Sequence, residues 1–406
     1  MKIRNIYTAA MLAALCALSP ALTACGDDEP EPTPPAGELV PGPGDNTGDD
    51  NNDPQPDPEP TPTAYAPLSN PEASTSARKV YDFICDQSGQ RIISGAMANV
   101  NNNNDFADWV FRVSGKYPAL CGYDFIHLAD SRPGSWIDYS DISAATTQWN
   151  ANGLVSYMWH WNAPDSEEAW RNGDSSRYGF YIPGRGASPT SFDIREALKE
   201  GTWQHDFIIE DIDRVAGYLK LLQQAGIPVI WRPLHEAAGN YAYADGAWFW
   251  WGRYGDQYTR QLWDLMYDLL TSYHHLDNLI WVWTAQYQEG YADRMAESYP
   301  GNEKVDIIGV DIYANSDDAQ ADAYQAALNL GSRQRPVALS ECGRVPSPDK
   351  CIDNGADWSW FMIWYTYDIK NGNASSDSFG NTASSLRSIM HSDRVITRDE
   401  MPAMRD

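Results

Sequence analysis

Two glutamates close apolar runs in this chain, and their setting suggests what they could do. In "IPVIWRPLHE" the run ends at Glu236, with Arg232 and His235 just before it, and in "RPVALSECG" a second run ends at Glu341. A carboxyl at a strand end beside aromatic side chains suits a general acid. Two of them facing one bond can hydrolyse a glycosidic linkage: one protonates the leaving oxygen, and the other attacks the sugar carbon or activates water. The structural alternative makes Glu236 the ion-pair partner of Arg232 or His235 and Glu341 a solvated strand end. Two such ends in one chain favour the chemical reading.

Other apolar runs end in residues of a matching kind. "YMWHWNAP" leaves His160, Trp161 and Asn162 at its end, "VDIYAN" leaves Asp311 and Tyr313, and "FMIWYTYD" leaves Trp364. A pyranose ring has an apolar C–H face and a rim of hydroxyls, which suits tryptophan mixed with His, Asn, Asp and Arg. The aromatic loop after Glu236, reaching Trp248 in "WFWWG", is expected to form a floor for the next sugar. Strand alternation puts Arg232, Leu234 and Glu236 on one face and Trp231, Pro233 and His235 on the other. No H-E-x-x-H, G-x-S-x-G or P-loop motif is present, and His274 and His275 are adjacent, the wrong spacing for one helical metal face. No metal and no cofactor is expected.

Such strand ends need a scaffold that gathers them. Eight short apolar runs qualify as strands: 91–98, 117–125, 153–161, 227–236, 278–285, 306–314, 335–343 and 358–367. Between the third and fourth, Ile208, Ile212, Val215, Leu219 and Leu222 recur at helical spacing, and Gly226 and Pro228 then mark the stop and restart. Eight buried strands alternating with helices predict a (β/α)8 TIM barrel forming a single catalytic domain, with a doubly wound α/β sheet as the alternative. Either fold puts the strands' C-terminal ends where chemistry is done. Pro233 conflicts with a fourth strand running to Glu236, because it has no N–H for the ladder.

The formal charge is −27, and it is unevenly spread. Residues 1–25, "MKIRNIYTAAMLAALCALSPALTAC", have a basic start, an apolar middle and small residues before Cys25, the pattern of a secretory signal. Residues 26–63 are Pro, Asp, Glu, Gly and Asn with almost nothing to bury, and so read as a disordered tether. The remaining catalytic domain, 64–406, still holds 45 acidic against 27 basic side chains. That balance repels nucleic acid and polyanions and favours a neutral ligand. All seventeen tryptophans lie in this part, more than a core requires. Its four cysteines would be free to pair in an exported protein, and a Cys342–Cys351 bridge is expected, with Cys85 and Cys121 as buried thiols.

Taken together, "WRPLHE…WFWWG", "IIGVDIY", "ALSECG" and "WFMIW" resemble the β-mannanases of glycoside hydrolase family 26, from about Ala64 to the C-terminus. The resemblance implies a retaining endo-β-1,4-mannanase acting on mannan, galactomannan or glucomannan by double displacement, with Glu236 as acid/base and Glu341 as nucleophile. Tyr313 resembles the tyrosine that hydrogen-bonds the nucleophile, and His235 the histidine beside the acid/base. His160, Trp248 and Trp364 resemble subsite residues, and Arg232 shares their face. The chain departs from the shorter members by inserting residues 240–247, which could wall off one end of the cleft. A β-glucanase or xylanase on the same fold is the second reading, and a non-catalytic surface glycan-binding lipoprotein the third. "LTAC" is similar to a bacterial lipobox, and the acids after it resemble the export signal of Bacteroidetes lipoproteins. These imply a monomer lipid-anchored through Cys25 on the cell outer membrane, facing outward.

Overall fold

The eight strands expected from the apolar runs are all present, seven of them shorter than their runs and the fifth of equal length but displaced by one residue. The computed structural model describes residues 65–99, 101–239, 247–288, 290–364 and 367–405. The strands are β1 (Ile92–Met97), β2 (Leu120–Asp124), β3 (Leu154–Met158), β4 (Val229–Arg232), β5 (Leu279–Gln286), β6 (Ile307–Ile312), β7 (Val337–Cys342) and β8 (Trp360–Ile363). All pair in parallel with their sequence neighbours, and β8 pairs with β1, so the sheet closes. This is the (β/α)8 barrel. The short strand Val395–Ile396 adds to the start of β1.

Nearly every strand residue is buried, as expected of a parallel sheet covered on both faces. The long helix Trp203–Gln224 turns Ile208, Ile212, Val215, Leu219 and Leu222 inward, the residues whose spacing announced it. Thr202 caps its start by accepting from the His205 N–H at 3.1 Å. Gly226, at φ 67°, makes the left-handed turn that lets Pro228 redirect the chain into β4. Among the described residues, the connection after β5 carries only 3₁₀ turns, Ala292–Ala296 and Asn302–Lys304, where an α-helix would ordinarily follow.

Two local departures from regular strand shape the barrel mouth. First, β4 ends at Arg232, before Pro233, and Leu234 and Glu236 then take positive φ of 51° and 50°. Strand alternation stops there, so His235 does not point away from the face holding Arg232 and Glu236. Second, the β6–β7 register skips a residue: Val310 faces Leu339, but Asp311 faces Glu341. Such bulges re-aim side chains at the ends of strands.

Nine tryptophans are almost fully buried: 159, 161, 231, 250, 251, 263, 281, 358 and 360. The tryptophan excess is therefore mostly core rather than ligand surface. The expected Cys342–Cys351 bridge is absent, and all four cysteines of the described domain are free. Cys342 is buried on β7 and directs its thiol to the Met362 carbonyl of β8, so its sulfur is already engaged across the sheet.

Candidate active site

The barrel gathers three carboxyls at its mouth. One oxygen each of Glu236, Asp311 and Glu341 lies within 4.8 Å of the others, and all three residues are buried. Their surroundings differ. Glu341 accepts from Arg232 Nη2 on Oε1 and from the Tyr313 hydroxyl on Oε2. Asp311 accepts from Arg232 Nη1 at 2.9 Å and from the Ser340 hydroxyl at 2.7 Å. Glu236 Oε1 is buried with no hydrogen-bond partner among the described residues. Arg232 therefore pairs with Asp311 and Glu341 and leaves Glu236 out, which removes the simple ion-pair reading of Glu236.

These contacts separate the two glutamates electrically. Burial, reinforced by the negative charge of Asp311 and Glu341, pushes the Glu236 carboxyl well above the usual range, which favours its protonated form. Glu341, by contrast, is held by two donors, one of them the Arg232 cation. Burial and the neighbouring Glu341 charge also push the Tyr313 phenol well up, so it remains a donor. One carboxyl whose proton is held more tightly beside one carboxyl gripped by a cation and a phenol is the asymmetry that acid–base chemistry at a single bond needs. The guanidinium already supplies a positive charge to two of the three carboxyls.

A second layer fixes the segment carrying Glu236. The His235 ring meets His160, Nε2 to Nε2, at 3.2 Å, and His160 Nδ1 meets Asp124 Oδ2 at 2.6 Å. Asp124 Oδ1 also accepts the His160 backbone N–H at 3.0 Å. Burial and the nearby His160 and Arg232 push His235 well below the usual imidazole range, so it is neutral. His160 donates its Nδ1–H to the carboxylate, leaving its Nε2 as acceptor; His235 therefore donates from Nε2, and its buried Nδ1 is a bare acceptor. The Glu236 N–H is held by the Thr284 carbonyl of β5 at 3.0 Å.

The aromatic loop does something other than the sequence suggested. Phe249, Trp250 and Trp251 are buried, and only Trp248 is partly exposed. Trp251 donates to the His235 carbonyl at 2.9 Å, and Trp250 to the Trp161 carbonyl at 2.6 Å. Phe249 stacks on Trp251 at 4.5 Å and lies 5.3 Å from the His235 ring. These three buried rings pack behind the histidine pair and leave Trp248 as the partly exposed ring of the run. Residues 240–246 of the insertion lie outside the described residues, as do Cys25 and the tether.

Of the eight anticipated site residues in this domain, Glu236, Glu341, Arg232, Tyr313, His235 and His160 form one cluster. Trp364 joins it, with its ring 6.1 Å from that of His160. Trp248 packs on Phe249 and against Gly239. Asp124 and Ser340 went unrecognised, although Asp124 carried the same signal as Glu341, an acid ending an apolar run. Tyr181, whose phenol is pushed up to about 12 by burial and by the charges of Glu236 and Glu341, had no signal at all.

A (β/α)8 barrel with paired strand-end carboxyls, one with an oxygen left unpartnered and one held on both oxygens, is the architecture of barrel glycoside hydrolases. The family model for glycosyl hydrolase family 26 matches residues 69–400, and the chain belongs to that family. It is 33% identical over 345 residues to a mannan endo-1,4-beta-mannosidase of Thermothelomyces thermophilus, covering 84% of this chain and 64% of the relative. It is 35% identical over 344 residues to mannan endo-1,4-beta-mannosidase B of a Piromyces species, covering 83% and 54%. The chain thus spans between half and two thirds of the length of these relatives. Among solved structures it is similar to the family 26 domain of a Prevotella bryantii endo-beta-mannanase/endo-beta-glucanase, with TM-score 0.72, 35% identity, and 82% of this chain and 99% of that one covered. It is equally similar to a beta-mannanase from a symbiotic protist of the termite Reticulitermes speratus, solved with a gluco-manno-oligosaccharide, with TM-score 0.72, 33% identity, and coverage of 84% and 99%.

Proposed function

We propose that this chain is a retaining endo-β-1,4-mannanase acting on mannan, galactomannan or glucomannan. Glu236 is the acid/base and Glu341 the nucleophile. The observation that carries the assignment is the unequal holding of two carboxyls whose nearest oxygens lie within 4.8 Å. Retaining enzymes keep their carboxyls about 5–5.5 Å apart, whereas inverting ones need about 6.5–9.5 Å to admit a water. Glu341 attacks the anomeric carbon while Glu236 gives its proton to the departing oxygen; Glu236 then takes a proton from the water that opens the glycosyl-enzyme. His160, Trp364 and Trp248 contact the sugars, and Tyr313 orients the nucleophile.

The names of the related mannanases support mannan as substrate over β-glucan or xylan. Incubating the protein with mannan, galactomannan, lichenan and xylan and analysing the products tests this. Oligosaccharides released from lichenan or xylan but not from mannan would overturn it. The two roles are separated with an aryl mannobioside: Glu236→Ala should retain a burst that azide extends, and Glu341→Ala should lose all turnover.

We further propose that the protein is a monomer lipid-anchored through Cys25 and displayed on the outer membrane by the acidic tether. The lipobox-like "LTAC" and the acids after it support this reading. Cys25→Ala should release the protein from the membrane fraction; unchanged surface labelling would refute the anchor.

A further inference from the structure

Apart from the carboxyl cluster, a cavity of about 250 Å³ opens between the turn after β2, the segment 170–178 and the first half of helix Trp203–Gln224. Three aromatic rings line it: Trp170, Tyr178 and Phe207. Arg171 lies over the Trp170 ring at 3.8 Å, and the Phe207 ring meets Trp170 edge-on at 6.2 Å, so the indole is held in place. Four charged residues complete the lining, Arg132 and Arg214 against Glu210 and Asp211.

The lining carries groups of both signs, with burial pushing Asp211 up to about 7, and this restricts the occupant. An anion would meet Glu210 and Asp211, and a cation would meet Arg132 and Arg214; a neutral polyol finds both donors and acceptors. Asp211 is buried and pinned, accepting from Trp161 Nε1 at 3.1 Å and Arg214 Nη1 at 3.3 Å. Tyr178 feels the charges of Asp211, Arg214 and Glu210 without a hydrogen bond to any of them. Its hydroxyl is thus available. The volume falls just short of the ~300–1,000 Å³ of pockets for drug-sized ligands, which leaves room for one ring and not for a chain.

We propose that this cavity is a second carbohydrate site, holding a single neutral hexopyranose unit beside the aromatic rings while the charged residues read its hydroxyls. The choice of sugar rests on the mannan reading; the site itself does not. Trp161 links it to the catalytic mouth, since its side chain bonds Asp211 and it follows His160 in the chain. The unit could come from a mannosyl residue of a neighbouring main-chain segment or from a galactosyl branch. Both present an apolar ring face and a hydroxyl rim.

The test uses the whole chain with Glu341→Ala to stop turnover, titrated with methyl β-D-mannopyranoside and with methyl α-D-galactopyranoside and followed by NMR. Trp170→Ala and Arg132→Ala, each added to that background, should weaken binding of at least one probe by about tenfold or more, a loss that such titrations resolve. Mannotetraose, bound in the cleft, should be unaffected in both. Preference for the mannoside identifies a main-chain unit, and preference for the galactoside a branch. Arg132 is exposed, so its truncation leaves the core intact, and Trp170→Phe, which keeps an aromatic ring, should retain part of the binding. Unchanged affinity for both probes in Arg132→Ala and Trp170→Phe, or equal weakening of mannotetraose, would overturn the proposal. Failure of the wild-type protein to cleave mannan would instead remove the substrate reading and leave this result standing.

Discussion

Asp311 stands opposite Glu341 only because the register between their strands skips Ser340. The skipped serine is not idle: its hydroxyl holds Asp311 at 2.7 Å. With the two carboxylates side by side, Arg232 bridges them using two different nitrogens.

A lysine cannot span both acceptors, so Arg232→Lys should cut kcat by about 10–100-fold, the worth of one lost hydrogen bond to a charged group. It should also destabilise the fold by about 3–5 kcal/mol, because one buried carboxyl loses its cationic partner. Steady-state kinetics on mannan and thermal unfolding read the two effects separately. Wild-type values for both would mean that the bridge does nothing.

The raised pKa of Glu236 predicts a pH-dependent stability of definite sign. The native state binds this proton more tightly than the unfolded chain, whose carboxyl titrates near 4.5. Between that value and the higher native one, native protein carries the extra proton, so stability falls by about 1.4 kcal/mol for each pH unit climbed. Glu236→Gln, always neutral, should be inactive on polymer yet increasingly more stable than wild type from about pH 5 upward. Melting curves of both proteins across that range check it; parallel curves would contradict a protonated Glu236.

The Asp124–His160–His235 chain fixes which nitrogen of each ring carries the proton. Asp124→Asn can donate to His160 Nδ1 and so reverse the order, leaving two N–H groups facing each other across 3.2 Å. We expect kcat to fall by about 10²-fold or more through displacement of the neighbouring acid, with a smaller change in KM. Nitrogen-15 NMR of the imidazoles should show the exchanged tautomers, a signature that simple loss of packing would not produce.

Thiol counting checks the cysteines. The described domain should give four reactive thiols in denaturant and few in the folded state, since burial pushes Cys85, Cys121 and Cys351 up to about 12 and Cys342 well above its usual range. Two thiols in denaturant would restore the bridge.

The eight strands and the long helix were legible because apolar runs and helical spacing are local properties. So were the strand-end carboxyls and histidines. What was hidden depends on geometry between segments. The skipped Ser340 is a relation between two strands, not a property of either. The left-handed backbone at Leu234 and Glu236 put His235 beside His160, whereas alternation put it on the far face. Composition likewise cannot tell a tryptophan that meets sugar from one that clamps a histidine, since both are apolar rings with one N–H.

The loop from Gly239 to Trp248 is moored at both ends. Trp248 lies so close over Gly239 that a β-carbon there would collide with its ring, and Gly252 touches the Ala237 backbone as closely, while Trp251 grips the His235 carbonyl. The chain before residue 240 and the chain after residue 246 are thus tied directly to each other, on the same segment that carries Glu236.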